Sequence, residues 1–365
     1  MHLERVFLRN FRSYEKEEIL FDSHVNLIQG RNAEGKTNLL EAIYLLSTGR
    51  SFRTLKLTDL ILEGSAFFYL EADFIKEGIS QSLKLSFDGQ EKKMQYNATA
   101  YQGFLNLLGL LPSVIYAPED ISLIMGAPTQ RRRYLDLHLA QIDPLYVYHL
   151  TRFFKAMKQR NVLLRKKTTQ SIEVWEETMA HSALYVMEKR ALVLQDLKTT
   201  LNEAMQTLSE NCDHLEVKYL PSFSGDLQKI YTEQRHKEML CNATLFGPHR
   251  DDFVILINEK TAKSYASEGQ KQCAILSFRL AEWKRLASFC SEAPLMSIDD
   301  FGVHLDAKRR SLLEEELENL GQIFCTSPDF SASNQKVLFT LREKRVWKET
   351  PSQEEMILPC QKIDQ

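Results

Sequence analysis

The chain has 365 residues, of which 44% are hydrophobic and 26% are charged. These values are close to globular averages, and the length suits one large domain with an insertion or two domains. The net charge of −3 excludes a generally basic protein, so any contact with nucleic acid would have to come from local basic clusters.

The same composition argues against a membrane protein or a secreted protein. No apolar run approaches the length of a bilayer span, and the first five residues lack the pattern of a signal peptide, so we expect a cytoplasmic location. The six cysteines show no C-x-x-C spacing, which favours reduced thiols and argues against a zinc site.

The first part of the chain predicts two strands, a helix and a meander. Residues 3–8 and 25–28 are typical of strands, and apolar residues recur at helical spacing between 36 and 46. Short alternating segments from 67 to 100 predict an antiparallel meander, with a turn at Asp88-Gly89.

The second part predicts a helical region followed by a return to α/β structure. Residues 129–209 contain few glycines or prolines and many helix formers, which indicates a mostly helical insertion. A strand at 253–257 and a helix at 269–287 follow. Two apolar runs, 295–298 and 322–325, are typical of buried strands.

Residues 30–37 carry the strongest local signal. Gly30-Arg31-Asn32-Ala33-Glu34-Gly35-Lys36-Thr37 fits the P-loop pattern G-x-x-x-x-G-K-[ST], between an apolar strand and a helix. The glycines allow a tight turn whose amides wrap phosphate oxygens. We expect Lys36 to reach the β- and γ-phosphates of ATP and the Thr37 hydroxyl to coordinate Mg²⁺. The alternative is a chance glycine turn before a helix.

An acidic strand end supports the P-loop. The apolar run 295–298 is followed directly by Asp299 and Asp300. We expect Asp299 to hold Mg²⁺ and Asp300 to polarise or align the attacking water, with Lys36 as the third catalytic residue. Apolar residues followed by two aspartates are common in proteins, so this signal gains its weight from the P-loop.

The segment Ser267-Glu268-Gly269-Gln270-Lys271 opens the predicted helix at 269–287. Ser267 could cap the helix and Gly269 would allow a phosphate to approach, although a plain serine-capped helix start explains the same residues. The order of P-loop, this segment and the Asp299 strand resembles ABC-type ATPases. That resemblance implies that Ser267, Gly269 and Gln270 bind the γ-phosphate of ATP held by a second copy of the chain.

Several further segments resemble the RecF family of DNA-repair ATPases, and residues 8–14 resemble the opening strand of SMC-like ATPases. The segments are 48–53, 118–120, 126–128, 131–136 and 247–252. With the ATPase motifs, the resemblance runs from the first residues to about Thr326. It also implies that Arg12 reaches the nucleotide.

Two departures from the family pattern lie in the segment that follows Asp299 and Asp300. Val303 and His304 stand where the family has a small residue and an acid, in a segment that helps two protomers sense each other. Thr326 stands where ABC transporters have a histidine, as is usual in RecF-like proteins. The resemblance therefore implies a weak ATPase with slow hydrolysis.

Basic residues cluster on the helical region and after the acidic site. The clusters are Arg131 to Arg133, then Lys155, Lys158, Arg160, Arg165, Lys166 and Lys167, and finally Lys308 to Arg310. They could contact DNA phosphates with little base specificity, or they could be solvated helix faces. We expect Phe153, Phe154 and Trp175 to pack rather than to stack on bases. His249 and Arg250 are candidates either for function or for ion pairs with Asp251 or Asp252.

The predicted fold is an α/β ABC-type P-loop ATPase head with an antiparallel β subdomain and an inserted α-helical arm. We assign residues 1–110 and 241–365 to the head and 111–240 to the arm. The alternatives are a nucleotide-binding subunit of a transporter, an SMC-like chromosome protein and a P-loop kinase. The long insertion and the missing switch histidine argue against the first, and the short arm argues against the second. A kinase would not need Ser267-Glu268-Gly269-Gln270.

The resemblance to the RecF family implies an ATP-dependent homodimer that binds duplex DNA at single-strand gaps without sequence preference. It implies RecR and RecO as partners and help in loading the RecA recombinase, in recombinational repair, replication restart and the SOS response. The cofactors it implies are ATP and Mg²⁺.

Overall fold

A computed structural model describes residues 1–31, 33–302, 306–328, 337–342 and 345–349. The strands are β1 (His2–Phe11), β2 (Tyr14–Leu20), β3 (Val25–Gly30), β4 (Phe68–Lys76), β5 (Ile79–Phe87), β6 (Lys92–Tyr96), β7 (Thr99–Tyr101), β8 (Ser113–Tyr116), β9 (Leu215–Leu220), β10 (Asp252–Ile257), β11 (Lys260–Thr261), β12 (Leu295–Ile298), β13 (Ile323–Ser327), β14 (Val337–Arg342) and β15 (Arg345–Glu349). The helices are α1 (Lys36–Thr48), α2 (Ser122–Met125), α3 (Pro128–Ala140), α4 (Pro144–Arg165), α5 (Ile172–Leu208), α6 (Leu227–Cys241), α7 (Ala262–Tyr265), α8 (Glu268–Phe289) and α9 (Ala307–Glu318).

The first sheet is antiparallel, with the strand order β2-β1-β4-β5-β6-β7. The meander predicted at 67–100 is confirmed as β4 to β7. Buried and partly exposed side chains alternate along β4, as they do when one face of a sheet covers a core. β2 was not predicted, because the charged residues 15–18 interrupt the alternation of apolar and polar residues that marks a strand. It forms one edge of the sheet, where charged residues are tolerated.

The second sheet has the order β15-β14-β3-β13-β12-β8 and is parallel except for the β14–β15 hairpin. The predicted strands at 25–28, 295–298 and 322–325 are confirmed as β3, β12 and β13. β12 and β13 are buried throughout, which explains their unbroken apolar runs. The carboxyl ends of parallel strands meet at one edge, so β3 and β12 bring the P-loop and Asp299 to the same edge.

Helix α1 lies between the two large sheets and joins them into one core. Its buried residues Leu39, Leu40 and Ile43 pack in a cluster with Phe68 of the antiparallel sheet and Phe324 of the parallel sheet. The helix ends at Gly49, whose left-handed φ of 70° lets its N–H reach the carbonyl of Leu45 at 2.8 Å. The position of α1 fixes the P-loop against both sheets.

The helical region predicted at 129–209 is confirmed as α3, α4 and α5. α4 packs against α5, and a small core between them includes Phe153, Met179 and Tyr231. A third sheet, with the order β11-β10-β9, packs against α5 through β9. Among the described residues, no helix combines the length and the apolarity needed to cross a bilayer.

Arg160 of α4 is a buried structural cation and not a solvated one. Its side chain is 0% exposed, and its Nη2 lies 2.9 Å from Glu176 Oε1 and 2.6 Å from Glu238 Oε2. Its Nη1 also donates to Thr244 Oγ1 at 3.0 Å. The sequence placed Arg160 among candidate DNA contacts, and its burial contradicts that hypothesis.

We expect Arg160→Ala to lower the free energy of unfolding by about 3 kcal/mol, because the buried Glu238 carboxylate would lose its ion pair with Arg160, while Glu176 keeps its ion pair with Arg235. Arg165→Ala is the matched control, since Arg165 is exposed at the end of the same helix and its loss should cost no more than about 0.5 kcal/mol. Urea unfolding followed by circular dichroism measures both. Equal midpoints for the two variants would contradict the structural role.

Candidate functional site

The P-loop backbone is shaped by glycine. Gly35 has φ 112° at the start of α1, and its carbonyl accepts a hydrogen bond from the Tyr14 hydroxyl at 3.0 Å. A Cβ at this position would lie 2.8 Å from Ser13 Oγ, so both the conformation and the space require glycine. Asn32 of the predicted loop lies outside the described residues, whereas Gly30, Arg31, Ala33, Glu34, Gly35, Lys36 and Thr37 are all described.

The Lys36 ammonium lies across the loop that precedes it. Its Nζ donates to the carbonyls of Gly30 at 2.7 Å and Arg31 at 3.1 Å. The Arg31 N–H donates to Glu34 Oε2 at 2.7 Å, which closes the loop. The N-terminus of α1 and an ammonium group therefore face the same small volume, an arrangement that can bind phosphate.

Thr37 and Asp299 meet at the edge of the parallel sheet, although they are far apart in sequence. The Thr37 hydroxyl donates to Asp299 Oδ1 at 3.0 Å, and the Thr326 hydroxyl donates to the same oxygen at 2.6 Å. Burial raises the pKa of the Asp299 carboxyl, and the hydrogen bonds from Thr326 and Thr37 oppose that rise. A buried carboxylate with a raised pKa gains from a nearby cation.

Thr326 is a functional candidate whose role the sequence did not predict. Besides its bond to Asp299, its Oγ1 accepts the N–H of Asp300 at 2.9 Å. Asp300 has φ 53°, and this one hydroxyl thus positions both aspartates at the strand end. The sequence showed Thr326 only as the residue in place of a histidine. Val303 and His304 lie outside the described residues.

The donor set fits a magnesium ion that is shared with a nucleotide. Thr37 and Asp299 present hard oxygen ligands 3.0 Å apart. Among the described residues, no group of three or more His, Cys, Asp or Glu could hold a metal ion. Mg²⁺ is usually bound by one or two protein oxygens together with substrate phosphates, so this small donor set suits a site completed by ATP.

We expect Asp299→Asn to keep the fold and to weaken the effect of Mg²⁺ on ATP binding. Asn Oδ1 can still accept both threonine hydroxyls, whereas the charge that attracts the cation is lost. The Mg²⁺ concentration for half-maximal binding of a fluorescent ATP analogue should rise by about tenfold. Asp88→Asn, in the turn after β5, is the control. An unchanged Mg²⁺ requirement in Asp299→Asn would count against this assignment.

The Ser267 segment caps α8 and does not touch the P-loop. Ser267 Oγ accepts the N–H of Gln270 at 3.2 Å, and Gln270 Oε1 accepts the N–H of Ser267 at 2.9 Å. Gln270 Nε2 also donates to Asp213 Oδ1 at 2.7 Å. Within the part of the chain that the structure describes, no hydrogen bond joins Ser267 or Gln270 to the P-loop or to Asp299.

Gly269 of the same segment is in close contact with α9. A Cβ on Gly269 would lie 2.6 Å from Arg309 Nη1, so the guanidinium packs on the glycine backbone. Arg309 also lies 3.5 Å from Asp306, the residue that caps α9. Tyr116 connects the end of β12 to α8. Its carbonyl accepts the Asp299 N–H, and its hydroxyl donates to Gln272 of α8.

Comparison with known proteins decides the family. A family model described as an AAA domain matches residues 5–218. The DNA replication and repair protein RecF of Protochlamydia amoebophila is 41% identical over 339 residues, which cover 90% of this chain and 94% of that protein. The chain belongs to the RecF family. RecF of Chlamydia caviae is 36% identical, over 93% of this chain and 96% of that protein.

Solved structures agree with the RecF family and confirm the predicted fold class. The recombination mediator protein RecF with ATP, of the RecFOR pathway, superposes with a TM-score of 0.90 at 31% identity, covering 96% of this chain and 98% of that one. An Smc head domain from Pyrococcus furiosus bound to part of ScpA gives 0.55 at 16% identity, covering 96% of both chains. The second likeness concerns the fold alone.

The SMC-like segment 8–14 and the RecF-like segment 48–53 meet at the buried residue Glu41 of α1. Arg12 donates to both Glu41 oxygens at 2.8 Å, and the Ser51 hydroxyl donates to Glu41 Oε1 at 2.5 Å. The third nitrogen of Arg12 donates to the carbonyl of Asp59 at 2.8 Å. Arg12 is therefore held by α1 and the following loop, and Glu41 is a residue that sequence reasoning missed.

Two other segments typical of the RecF family, 131–136 and 247–252, also contact each other. Arg131 forms a two-point ion pair with Asp252, at 2.6 and 2.9 Å, and the Arg132 Nη1 donates to the Asp251 carbonyl at 2.7 Å. His249 Nε2 lies 3.0 Å from the Thr244 carbonyl, and burial lowers the pKa of His249 to about 4. Asp252 therefore pairs with Arg131 and not with His249 or Arg250, the partners that the sequence alternative proposed.

The basic clusters divide into paired and unpaired cations. Arg131 and Arg160 are buried in ion pairs, and Lys308 pairs with Glu210. The guanidinium of Arg310 packs on Gly302 and lies 5.9 Å from the Phe301 ring. The exposed cations of α4 and the turn after it are Lys155, Lys158, Arg165, Lys166 and Lys167.

Proposed function

We propose that this RecF family member is an ATP-controlled DNA-binding protein that dimerises on ATP and holds duplex DNA beside a single-strand gap. The observation that carries the proposal is the separation of two phosphate-binding elements in one chain. The P-loop adjoins Asp299, whereas Ser267 opens α8, is exposed to solvent, and forms no hydrogen bond to the described P-loop residues or to Asp299. A second copy of the chain would bring the two elements together.

In the ATP site, we assign the residues by their geometry. Lys36 and the amides of residues 30–37 would bind the β- and γ-phosphates, and Thr37 and Asp299 would hold Mg²⁺, which neutralises phosphate charge. Asp300 would orient the attacking water. Thr326 is uncharged and its hydroxyl is engaged by Asp299 and the Asp300 N–H, so it gives no cationic support to the γ-phosphate, which is consistent with a weak ATPase.

In the dimer, Ser267, Gly269 and Gln270 of one copy would close over the γ-phosphate bound by the other. The capping box fixes the first turn of α8, so its free N–H groups point at the approaching phosphate. Hydrolysis would remove the group that joins the two copies. The DNA would then be released as the dimer opens.

The exposed cations of the arm and the family support the DNA partner. The solved RecF with ATP is described as a recombination mediator of the RecFOR pathway, and the relatives are DNA replication and repair proteins. We propose the same setting in the cytoplasm for this chain, with RecR and RecO as partners and RecA loading as the outcome. No base-reading element is needed, because phosphate contacts alone give sequence-independent binding.

The head and arm division is part of the proposal. The predicted arm, 111–240, contains β8, which pairs with β12 in the parallel sheet, and β9, which pairs with β10. We propose that the arm that reaches DNA is formed by α4, α5 and α6 and that β8 belongs with the head. Residues 1–110 and 241–365 supply the rest of the head.

Fluorescence anisotropy with a gapped duplex tests the proposal. Binding should be tighter with Mg²⁺-ATP than with ADP, and it should weaken steeply with salt. Replacing Arg165, Lys166 and Lys167 by Gln should lower the slope of log K against log salt by about 2 to 3 on duplex DNA. DNA binding that is absent would favour an energy module of the transporter type, and DNA binding that ignores ATP would contradict the control by ATP. A monomer in sedimentation with Mg²⁺-ATP and DNA would refute the dimer.

A further inference from the structure

A groove separates the end of α1 from helices α3 and α4. One cavity of about 860 Å³ lies at its wider end, and a second of about 730 Å³ continues from it. The two cavities share the lining residues Leu105, Leu108, Ala140, Val147, Thr151 and Lys155, so they form one continuous channel. We call this channel the α3–α4 groove.

Positive charge dominates the wider end of the α3–α4 groove. The cations that line it are Arg50, Lys92, Arg132, Arg133, Lys155 and Lys158. Among the described residues that line either cavity, the one carboxylate is Asp136. Its Oδ1 accepts a hydrogen bond from Arg190 Nη2 at 2.7 Å, so its charge is already compensated. The groove therefore attracts an anionic partner.

Three of the cations are held by backbone carbonyls, which carry no formal charge. Arg133 Nη2 donates to the Ser51 carbonyl at 2.9 Å, Arg132 Nη1 to the Asp251 carbonyl at 2.7 Å, and Lys92 Nζ to the Gly49 carbonyl at 3.4 Å. Burial and the neighbouring Arg50 lower the pKa of Lys92. The carboxylates of Asp136, Asp251 and Asp252 act on Arg132. The other cations that line the same cavity repel one another, and an anion placed among them would relieve that repulsion.

The α4 wall of the groove presents aromatic rings as well as charge. Tyr148, Thr151, Lys155 and Lys158 recur at spacings of three and four residues and line the groove, with Phe154 beside them. The Phe154 side chain is 41% exposed and Tyr148 is 55% exposed. The sequence predicted that Phe153 and Phe154 both pack. Phe153 is fully buried, and Phe154 packs edge-on against it with the ring centroids 5.6 Å apart but remains 41% exposed.

Charge and exposed rings together specify the class of ligand. A duplex offers phosphates at its surface but keeps its bases stacked inside, so it would leave the rings without partners. A single strand offers both phosphates and unstacked base faces, which aromatic side chains bind without sequence preference.

We propose that the α3–α4 groove binds a single strand of DNA, with its phosphates at Arg50, Lys155 and Lys158 and its bases on Phe154 and Tyr148. This rests on the proposed function and deepens it, because the strand would be the unpaired one at a gap. The duplex part would be held by other cations of the arm, those at the end of α4.

The test measures the affinity of the full-length protein for a labelled oligothymidylate of about 12 nucleotides, beside a fully paired duplex. Phe154→Ala should weaken binding of the oligothymidylate by about 5- to 100-fold and leave duplex binding within about twofold. Phe289→Ala is the matched control, since Phe289 is exposed on α8 outside the groove. Thermal melting would check that both variants fold.

Charge variants provide a second, independent measurement. Lys155→Gln with Lys158→Gln should lower the salt slope for the oligothymidylate by about 1.4, because each lost phosphate contact removes about 0.7 on single strands. Lys166→Gln with Lys167→Gln should leave that slope unchanged. The proposal would be overturned if both variants bound the oligothymidylate as their controls do. The control for Phe154→Ala is Phe289→Ala, and the control for the groove charge variant is Lys166→Gln with Lys167→Gln.

Other outcomes separate the groove from the proposed function. If the wild type binds gapped and paired DNA with ATP but does not bind oligothymidylate, the groove proposal fails and the proposed function stands. If Phe154→Ala weakens duplex and single strand equally, the groove is a general phosphate surface and the proposal also fails. Displacement of the oligothymidylate by polyglutamate at equal charge would show an acidic peptide site instead. The absence of ATP-dependent binding to every DNA would refute the proposed function itself.

Discussion

Lys36→Ala is expected to lower the affinity for ATP by at least about 100-fold. A charge-assisted hydrogen bond contributes about 1.5–3 kcal/mol, and the lysine would contact both the β- and γ-phosphates, so its loss should cost about 3 kcal/mol or more. The mutation should not unfold the protein. Among the described residues, the Lys36 ammonium donates to the Gly30 and Arg31 carbonyls alone, and it lies beside the positive end of α1.

Equilibrium dialysis with labelled ATP measures the effect of Lys36→Ala, and thermal melting without nucleotide checks the fold. Lys56→Ala removes an exposed lysine outside the P-loop and should bind ATP as the wild type does. Nucleotide affinity that is unchanged in a folded Lys36→Ala protein would show that the loop does not bind the triphosphate. Dimerisation, DNA binding and hydrolysis should all be lost with the nucleotide.

Ser267→Arg is expected to abolish the ATP-dependent dimer while leaving ATP binding intact. Ser267 has no hydrogen bond to the described residues of the P-loop in its own chain, so we do not expect the added side chain to reach the nucleotide held there. It would project from the start of α8 into the surface that must close over the second nucleotide. Sedimentation velocity with Mg²⁺-ATP should show a monomer, and nucleotide affinity should stay within about threefold of the wild type.

Two controls separate this steric block from a local loss of stability. Ser267→Ala removes the helix cap, which costs about 1 kcal/mol, but adds no bulk, so it should still dimerise at higher concentration. Ser264→Arg adds the same charge to the exposed face of the short helix α7 and should dimerise normally. An ATP-dependent dimer of Ser267→Arg would reject the role of this segment between two copies.

Much of the head could be predicted because its signals are local. The P-loop lies between a strand and a helix, and the apolar residues of each element recur at the spacing typical of that element. The meander at 67–100 shows the alternation of a sheet with one buried face. The elements that escaped prediction had weak or hidden periods. β8 has four buried residues, too few to distinguish from part of a helix, and β2 is masked by its charged run.

The chemistry within the site was only partly accessible. Lys36, Thr37 and Asp299 could be named because each follows a recognisable pattern. The role of Thr326 could not, because a threonine after a strand carries no signal until its hydroxyl is seen between Asp299 and the Asp300 N–H. Glu41 was missed for the same reason, since its partner Arg12 lies on another element.

The sequence by itself determined the class of the ATPase, its family and the order of its phosphate-binding segments. These features depend on short contiguous motifs, and each motif can be recognised from a few neighbouring residues. Only the tertiary structure decided which cations are free, because an ion pair depends on what another segment brings opposite. Arg160 and Lys158 are two positions apart on α4. Arg160 is buried in ion pairs with Glu176 and Glu238, whereas Lys158 lines an open groove.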